Sequence, residues 1–473
     1  MNGARRRALP IVLALLPLLG FWLYGLFDLD EGFYAAVVSA MLRTGDWITP
    51  HYRGHPWFEK PILLYWAAAP FAKVFGAAWA LRVPSVLANI GTYAICAASM
   101  RRNVGESAAP WTWMVLGTSL LVAALGRMMM TDALLVFFLT GAFLAHWESR
   151  DGSLRWRLAA AASLGFAVLA KGPVALLLFA PVAVLACWRE PDLRAGFGRG
   201  WVLGGVVFAA VVATWYAPAY LANPDSFVQK FLIEQNIQRF AGGDAAHAVP
   251  LWVGLPLYPA VLLVGMLPWS LYAFRAFPSP AKEHPYEAYL ATWFGVVLLF
   301  FTIGGSKLPH YIFPAAIPFG MLIARRLGRG EPARTPWGAV ATSLVVAALL
   351  NVGFVLYYAS GQAEVHRLAV EARALGRPVI SYQMGRREKG LGTGQAKIQE
   401  TSLPSLEYYV NRVVLEAETL DELEAKGPGI VITRVGRLRD RDFETLREQG
   451  WTLTPLEKAP PKNYRMFQLS RMP

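Results

Sequence analysis

Acidic and basic side chains stand beside several apolar runs of the sequence, where charge is costly unless it is paired or used. Asp30 follows the first apolar run, and Glu59 and Lys60 stand together ahead of another. Asp132 and Lys307 occupy similar positions at later runs. Grouped in one cavity, such cations could hold a phosphate while a carboxylate orients or deprotonates an attacking group. The pattern therefore indicates a reaction on a phosphate-linked lipid.

Each of these residues also has a plain structural interpretation. Asp30 can simply cap a helix that we predict to end at Thr44, with Gly45 as its C-terminal cap. Asp132 can cap a helix in the same way, and an exposed Glu59–Lys60 ion contact would contribute little stability. The apolar residues after Asp30 recur at one helical face, which predicts a helix lying on the bilayer surface.

The composition places these groups in a membrane protein. The chain has 473 residues, of which 55% are hydrophobic and 16% are charged. Many apolar runs reach the length of a spanning helix. The net charge of +13 fits basic cytoplasmic loops, and no basic stretch interleaved with aromatic residues favours nucleic acid. Cys96 and Cys187 lie within apolar runs and are typical of small buried hydrophobic residues.

The distribution of basic residues decides which apolar runs span. The runs lie near residues 8–27, 61–76, 83–100, 109–126, 130–147, 157–170, 173–188, 201–221, 251–274, 287–303, 309–325 and 335–358. If 61–76 is interfacial, the basic loops share the cytoplasmic side with Arg5–Arg7, as the positive-inside rule requires. We therefore predict eleven spanning helices, a cytoplasmic N-terminus, and the charged candidates on the opposite face. That group is Asp28, Asp30, Glu31, Glu59, Lys60, Arg127, Asp132, Lys171, Arg239, His247 and Lys307.

The composition changes near residue 359. Apolar runs shorten to strand length at 378–382, 429–433 and 464–468, and a helical stretch covers 440–448. This alternation predicts a small soluble α/β domain. We predict two domains, a transmembrane domain over 1–358 and a non-cytoplasmic α/β domain over 359–473.

Several separate motifs follow one another in a familiar order. They are Asp30-Glu31 with Tyr34, Gly45-Asp46-Trp47-Ile48, Phe58-Glu59-Lys60-Pro61, Arg127 with Asp132, Ile237-Gln238-Arg239-Phe240 with His247, Leu267-Pro268-Trp269, and Lys307-Leu308-Pro309 with Tyr311. Together they resemble the bacterial aminoarabinose transferases that modify lipid A, which belong with the protein O-mannosyltransferases to the GT-C membrane glycosyltransferases. Gly32, Phe33 and His310 depart from the usual pattern of these transferases.

The resemblance implies a polytopic α-helical GT-C fold with juxtamembrane helices, in a bacterial inner membrane. It also implies transfer of a sugar from a polyprenyl-phosphate carrier to a periplasmic acceptor such as lipid A, another glycolipid or a protein. Asp30 and Asp132 match the essential acidic positions, and Lys60 matches the lysine near the carrier phosphate. Glu59 and His247 match a pair that holds zinc. Arg127, Lys307, Tyr34 and Tyr311 complete the predicted donor-phosphate site.

Two other functions are compatible with a membrane protein of this composition. A transporter or flippase for a lipid-linked sugar would need polar groups in both halves of the membrane, whereas this sequence concentrates them at one face. A catalytically silent assembly subunit would tolerate the loss of Asp30 or Asp132, and both are present. The sequence favours an inverting glycosyltransferase and leaves the sugar and the acceptor open.

Overall fold

The computed structural model describes residues 3–28, 30–194, 198–238, 251–275, 284–328, 337–384, 403–456 and 462–473. Three residues of the sequence motifs, Arg239, Phe240 and His247, lie outside these ranges. The α-helices in the first half are α1 Gly3–Leu15, α2 Asp30–Thr44, α3 Leu63–Phe75, α4 Val83–Asn103, α5 Ala108–Gly117, α6 Leu120–Gly126, α7 Thr131–Glu148, α8 Leu154–Lys171, α9 Val174–Arg189, α10 Pro191–Arg194, α11 Arg199–Ala222 and α12 Pro224–Ser226.

A π-helix over Phe227–Gln238 follows α12. The later α-helices are α13 Leu251–Gly265, α14 Pro285–Ile303, α15 Phe313–Gly328, α16 Trp337–Gly361, α17 Ala363–Ala374, α18 Ser405–Val410, α19 Leu420–Ala425 and α20 Asp440–Glu448. The strands are β1 His51–Tyr52, β2 His55–Pro56, β3 Val379–Tyr382, β4 Val414–Ala417, β5 Gly429–Arg434, β6 Trp451–Pro455 and β7 Tyr464–Arg471.

The chain has several helices of membrane-spanning character. Within the described ranges, four are long and apolar enough to cross a bilayer: Ala78–Asn103, Gly200–Ala222, Pro285–Ile303 and Val340–Gly361. A fifth span results if α5 and α6, which meet at a bend of 68°, are counted as one. All five coincide with apolar runs that the sequence predicts to span, and the total of eleven spans remains a prediction.

Local chemistry explains why apolar runs became shorter helices. At the α5–α6 break, the hydroxyl groups of Thr118 and Ser119 donate to the carbonyl oxygens of Met114 and Val115 at 2.6 and 2.5 Å. Hydroxyl groups that bond to the preceding turn bend helices. The predicted interfacial run forms α3, whose 13 residues extend about 20 Å at 1.5 Å per residue. This length is too short for a span.

Contacts divide the chain into two units, which differ from the predicted division at residue 358. Unit 1 comprises Met1–Phe21, Phe58–Ala68 and Arg82–Val352. Unit 2 comprises Trp22–Trp57, Ala69–Leu81 and Gly353–Pro473. Unit 2 therefore joins α2 to the C-terminal domain because α2 packs on α18.

Unit 1 is a helical body in which α7 packs against α4 and α8, and α14 packs against α15. Its interior is largely apolar, and some of the charged groups buried in it form ion pairs. Glu287 of α14 forms an ion pair with Arg325 of α15, and both side chains are 6% exposed. Burial of such a pair is tolerated because each charge compensates the other.

Unit 2 contains a mixed five-stranded sheet with strand order β4-β3-β5-β7-β6. Strand β3 is parallel to β4 and β5, whereas β7 is antiparallel to β5 and β6. Residues alternate between two cores, with Ile430 on one face and Val431 on the other, as the two-residue period of a strand requires. The three predicted strands and the predicted helix at 440–448 are confirmed.

Helix α2 also lies in unit 2, and its surroundings differ from the prediction. Val37, Ala40 and Met41 are 0%, 3% and 1% exposed within the protein. The apolar face is therefore buried within the protein rather than exposed to lipid. The predicted end of the helix is correct, since α2 ends at Thr44 and Gly45 has a φ of +73°, a conformation that suits glycine.

Candidate active site

A cavity of about 140 Å³ in unit 1 brings together charged residues from distant parts of the sequence. Its charged and polar lining comes from Glu59, Lys60, Lys171, Gln235, Ser306 and Tyr311. Its apolar lining includes Leu135, Val174, Leu177, Phe231, Phe300 and Phe301. Cations beside apolar walls suit a ligand that carries both an anionic group and a hydrocarbon chain.

The loop between β2 and α3 supplies Glu59 and Lys60. The preceding residue, Phe58, is 2% exposed, and its ring packs against Trp215 and Phe227 at centroid distances of 6.4 and 5.7 Å. This aromatic anchor fixes the loop, so that the two following side chains line the cavity. Lys60 and Glu59 therefore both line the cavity, and their roles at a carrier phosphate and in a zinc site remain predictions.

Asp132 stands in the first turn of α7, where the helix dipole favours a carboxylate. Its side chain is 3% exposed, and its Oδ1 lies 2.5 Å from Nζ of Lys171. Lys171 ends α8, where the dipole favours a cation. The ammonium lies 4.9 Å from the ring centroid of Tyr311. Asp132 is thus linked to the cavity through a lysine in its lining.

Lys307 is close in sequence to the cavity lining, but its ammonium serves another role. It donates to the carbonyl oxygens of Phe301 and Thr302 at 2.8 and 2.5 Å. These carbonyls belong to the last turn of α14, which a cation stabilises. Neighbouring Ser306 lines the cavity. The role of Lys307 in phosphate binding remains a prediction.

Arg127 is fully buried and does not line the cavity. Its Nη1 donates to the carbonyl oxygen of Pro17 at 3.1 Å, and its Nη2 donates to Oδ1 of Asn351 at 2.7 Å. These bonds connect the end of α6 to two other parts of unit 1. The guanidinium group thus stabilises the fold, and its contact with a donor phosphate remains a prediction.

Asp30 and Tyr34 belong to unit 2. Asp30 is exposed at the start of α2, whereas Tyr34 is 7% exposed. The turn before the helix is closed by Glu31, whose Oε2 accepts a bond from the backbone N–H of Phe27 at 2.9 Å. The catalytic role of Asp30 remains a prediction. The sequence predicts Asp30 and Asp132 on the same face of the membrane, and a shared site for the two carboxylates remains a prediction.

The predicted metal site rests on two residues, of which the structure describes one. Glu59 lines the cavity, and His247 lies outside the described ranges. Within those ranges, no group of three or more His, Cys, Asp and Glu side chains is arranged to hold a metal ion. A single carboxylate does not make a zinc site.

The sequence placed Lys171 on the same face as the other charged candidates but gave it no role in the site, and it did not select the side chains of the π-helix. A signal for Lys171 was present: Lys60-Pro61, Lys171-Gly172-Pro173 and Lys307-Leu308-Pro309 each place a lysine just before a proline that begins an apolar segment. The π-helix contributes Phe231 and Gln235. Such helices are frequent at functional sites, but their altered register is invisible in an apolar pattern.

Sequence comparison finds relatives among enzymes that use lipid-linked sugars. The family model for dolichyl-phosphate-mannose-protein mannosyltransferase matches residues 9–221. An undecaprenyl phosphate-alpha-4-amino-4-deoxy-L-arabinose arabinosyl transferase of Pseudomonas paraeruginosa is 33% identical over 313 residues, covering 64% of this chain and 56% of the relative. The transferase of that name from Aeromonas salmonicida is 33% identical over 339 residues, covering 67% and 59%. The matches thus span just over half of each relative.

Solved structures share the fold. ArnT from Cupriavidus metallidurans, bound to undecaprenyl phosphate, aligns with a TM-score of 0.74 at 19% identity, covering 98% of this chain and 97% of that one. The archaeal oligosaccharyltransferase AglB from Archaeoglobus fulgidus aligns with a TM-score of 0.50 at 13% identity, covering 91% and 69%.

The fold and the site together define the chain as a multi-pass membrane protein with the GT-C glycosyltransferase fold. Within that class it is aminoarabinose transferase-like, and the resemblance indicated by the colinear motifs is confirmed.

Proposed function

We propose that the protein is an inverting membrane glycosyltransferase that takes a sugar from a polyprenyl-phosphate carrier and gives it to a lipid or glycolipid acceptor, with lipid A as one candidate. The observation that carries this proposal is the cavity in which Lys60 and Lys171 stand against apolar walls, with the buried carboxylate of Asp132 held by Lys171. The names of the similar transferases support undecaprenyl phosphate as the carrier.

The cations of the cavity would act on the carrier phosphate. Lys60 and Lys171 attract the phosphate while its ester bond breaks, and apolar walls strengthen this attraction because they exclude water. Tyr311, beside Lys171, offers a hydroxyl group for a hydrogen bond. The phosphate leaves with the electron pair of the broken carbon–oxygen bond, and it needs no proton because it is stable as an anion.

The two carboxylates would have different roles, because Asp30 would act on the acceptor and Asp132 on the side of the phosphate. A hydroxyl oxygen of the acceptor attacks the anomeric carbon opposite the departing phosphate, which inverts that carbon. Asp30 accepts the hydroxyl proton as the new bond forms. If the acceptor is a phosphate, which is already ionised, Asp30 orients it instead. Asp132 holds Lys171 in place for the phosphate.

Orientation in the membrane forms part of the proposal. We assign the protein to the bacterial inner membrane, with its N-terminus in the cytoplasm and residues 359–473 in the periplasm, because basic residues crowd the loops on the side of Arg5–Arg7. Zinc held by Glu59 and His247 would add a positive charge at the cavity. The described residues supply one of these ligands, so no step of the reaction is assigned to a metal.

Transfer by the detergent-solubilised protein tests the proposal. Wild type, Asp30→Asn and the control Asp225→Asn, which removes an exposed carboxylate of α12, would be incubated with undecaprenyl phosphate-linked 4-amino-4-deoxy-L-arabinose and a bacterial lipid extract. Mass analysis of the products should show a glycosylated lipid for wild type and Asp225→Asn and none for Asp30→Asn. Unchanged lipids with every folded variant would contradict the proposal and favour transport of the lipid-linked sugar.

A further inference from the structure

The loop before α2 is bonded to the C-terminal part of unit 2 through a buried aspartate. Oδ1 of Asp28 accepts from the backbone N–H of Ser405 at 2.9 Å, and Oδ2 accepts from the hydroxyl group of Ser405 at 2.7 Å. The side chain of Asp28 is 4% exposed. Two bonds from one residue fix both the position and the plane of this carboxylate.

A histidine of α17 completes the arrangement. Nε2 of His366 lies 2.7 Å from Oγ of Ser405 and 3.5 Å from Oδ2 of Asp28. Nδ1 of His366 lies 3.1 Å from the hydroxyl oxygen of Tyr358, and the imidazole stacks on Tyr409 at a centroid distance of 4.1 Å. Because both ring nitrogens and one ring face are engaged, the orientation of the imidazole is fixed.

Serine, histidine and aspartate also form the triad of hydrolases, but this geometry excludes that role. In a triad the aspartate bonds one ring nitrogen while the serine bonds the other. Here Ser405 and Asp28 both approach Nε2, and the serine hydroxyl group already donates to the aspartate. Ser405 is also 0% exposed. The cluster therefore holds structure in place rather than attacking a substrate.

The backbone of the loop is bonded to the same region. The N–H of Asp28 donates to Oε1 of Gln362 at 3.0 Å, and the N–H of Leu26 donates to the hydroxyl oxygen of Tyr409 at 3.1 Å. Contact is so close at Gly32 that a Cβ there would lie 2.6 Å from Oδ1 of Asp28 and 2.8 Å from N of Ser405. The C-terminal helices thus determine where α2 begins.

We propose that Ser405 and His366 are positioning residues for the transfer reaction, which act through Asp28 on Asp30. This inference rests on the proposed function. Asp30 stands two residues after the fixed carboxylate, at the exposed start of α2. Because Asp28 is held in place, the direction in which the Asp30 side chain projects from α2 is fixed as well. The C-terminal domain, for which the sequence indicated no role, holds the reacting carboxylate in place.

Two variants test the proposal without touching the exposed face of the site. Ser405→Ala removes the hydroxyl bond to Asp28, and His366→Phe retains a ring against Tyr409 but removes both nitrogens. A misplacement of 1 Å costs about a hundredfold in rate, so we expect kcat to fall about tenfold or more. KM for the lipid-linked sugar should stay within about twofold of the wild-type value, because the cavity lined by Lys60 and Lys171 is unchanged.

Ser381→Ala is the matched control. Its hydroxyl group, in β3 of the same domain, donates to the carbonyl oxygen of Leu415 at 3.2 Å and is buried to a similar degree. This variant should lose some stability and keep the wild-type kcat. Hydrogen exchange adds a readout that does not depend on activity: in Ser405→Ala and His366→Phe, but not in Ser381→Ala, the amides of Leu26, Asp28 and Gly32 should exchange faster.

The outcomes separate this proposal from the proposed function. If wild type and Asp30→Asn are equally inactive, the transferase proposal fails, and the exchange of the loop amides still decides whether Ser405 and His366 hold the loop. If wild type transfers sugar and Asp30→Asn does not, a wild-type kcat for both Ser405→Ala and His366→Phe overturns the positioning role. Equal losses of kcat in Ser381→Ala would also overturn it, because the effect would then be general destabilisation.

Discussion

Replacing Lys171 with methionine would leave the carboxylate of Asp132 without the ammonium 2.5 Å away. Removing one partner of a buried ion pair costs about 3–5 kcal/mol, because the remaining charge is uncompensated. Asp132 is 3% exposed and Lys171 is 15% exposed. We therefore expect Lys171→Met to be more destabilising than Asp132→Asn, which leaves a lysine that can reach water in the cavity.

Thermal unfolding in detergent, followed by tryptophan fluorescence, measures this difference. An unfolding entropy of about 2.1 cal/mol/K per residue makes 3–5 kcal/mol equivalent to a fall in Tm of about 3–5 °C for a chain of this length. Asp132→Asn should lower Tm by a smaller amount. The double variant Asp132→Asn/Lys171→Met should recover part of the loss caused by Lys171→Met, because no buried charge is left unpaired.

Additivity would refute this reasoning. If the loss of stability in the double variant equals the sum of the losses in the two single variants, the carboxylate and the ammonium do not interact energetically. A larger loss for Asp132→Asn than for Lys171→Met would show that the aspartate reaches water or another cation. Lys60 and His310 also act electrostatically on Asp132. A larger loss for Asp132→Asn would therefore mean that these two residues, more than Lys171, compensate the charge of the carboxylate.

Two further predictions concern unit 2. Gly32→Ala should lower both Tm and kcat, because its Cβ would displace Asp28 or Ser405. The control Gly353→Ala should change neither, because nothing lies within 4 Å of a Cβ at that position. Equal effects of the two variants would show that the contact at Gly32 is not tight. Burial raises the pKa of Glu407 above its ordinary value of 4.5 despite Arg43 and Arg53. The folded state then binds this proton more tightly, so wild type should lose stability relative to Glu407→Gln as pH rises from about 4.5. Thermal unfolding from pH 4 to pH 8 checks this, and Glu444→Gln, which replaces an exposed glutamate of the same domain, is the control variant.

Local patterns predicted the elements whose signals are local. The strands near 378, 429 and 464 alternate or run apolar over a few residues, and α20 has the charge pattern of an exposed helix, so each was found in its place. Strand β4 was not predicted, because its four residues, Val414–Ala417, become a strand by pairing with β3, about 35 residues away. A signal of that kind lies in the partner strand rather than in the segment itself.

The candidate site was predictable where a charge stands next to an apolar run. Glu59 and Lys60 were selected for that reason, and they line one cavity together with Tyr311, which was selected on the resemblance. The bonds that engage Arg127 and Lys307 could not be foreseen, because a buried cation and a ligand-binding cation look alike in a sequence. The pairing of Asp28 with Ser405 joins residues 377 positions apart, and no spacing rule reaches that far.

The close fit at Gly32 has a consequence for how this protein can change during evolution. With hydrogen as its side chain, Gly32 leaves room for the start of α18, so any larger residue there requires a shift of the C-terminal segment. The segment Trp22–Trp57 and the residues after Gly353 must therefore vary together. A chimera that exchanges the C-terminal domain at residue 358 alone would combine mismatched surfaces, whereas one that also exchanges Trp22–Trp57 would transfer the complete unit.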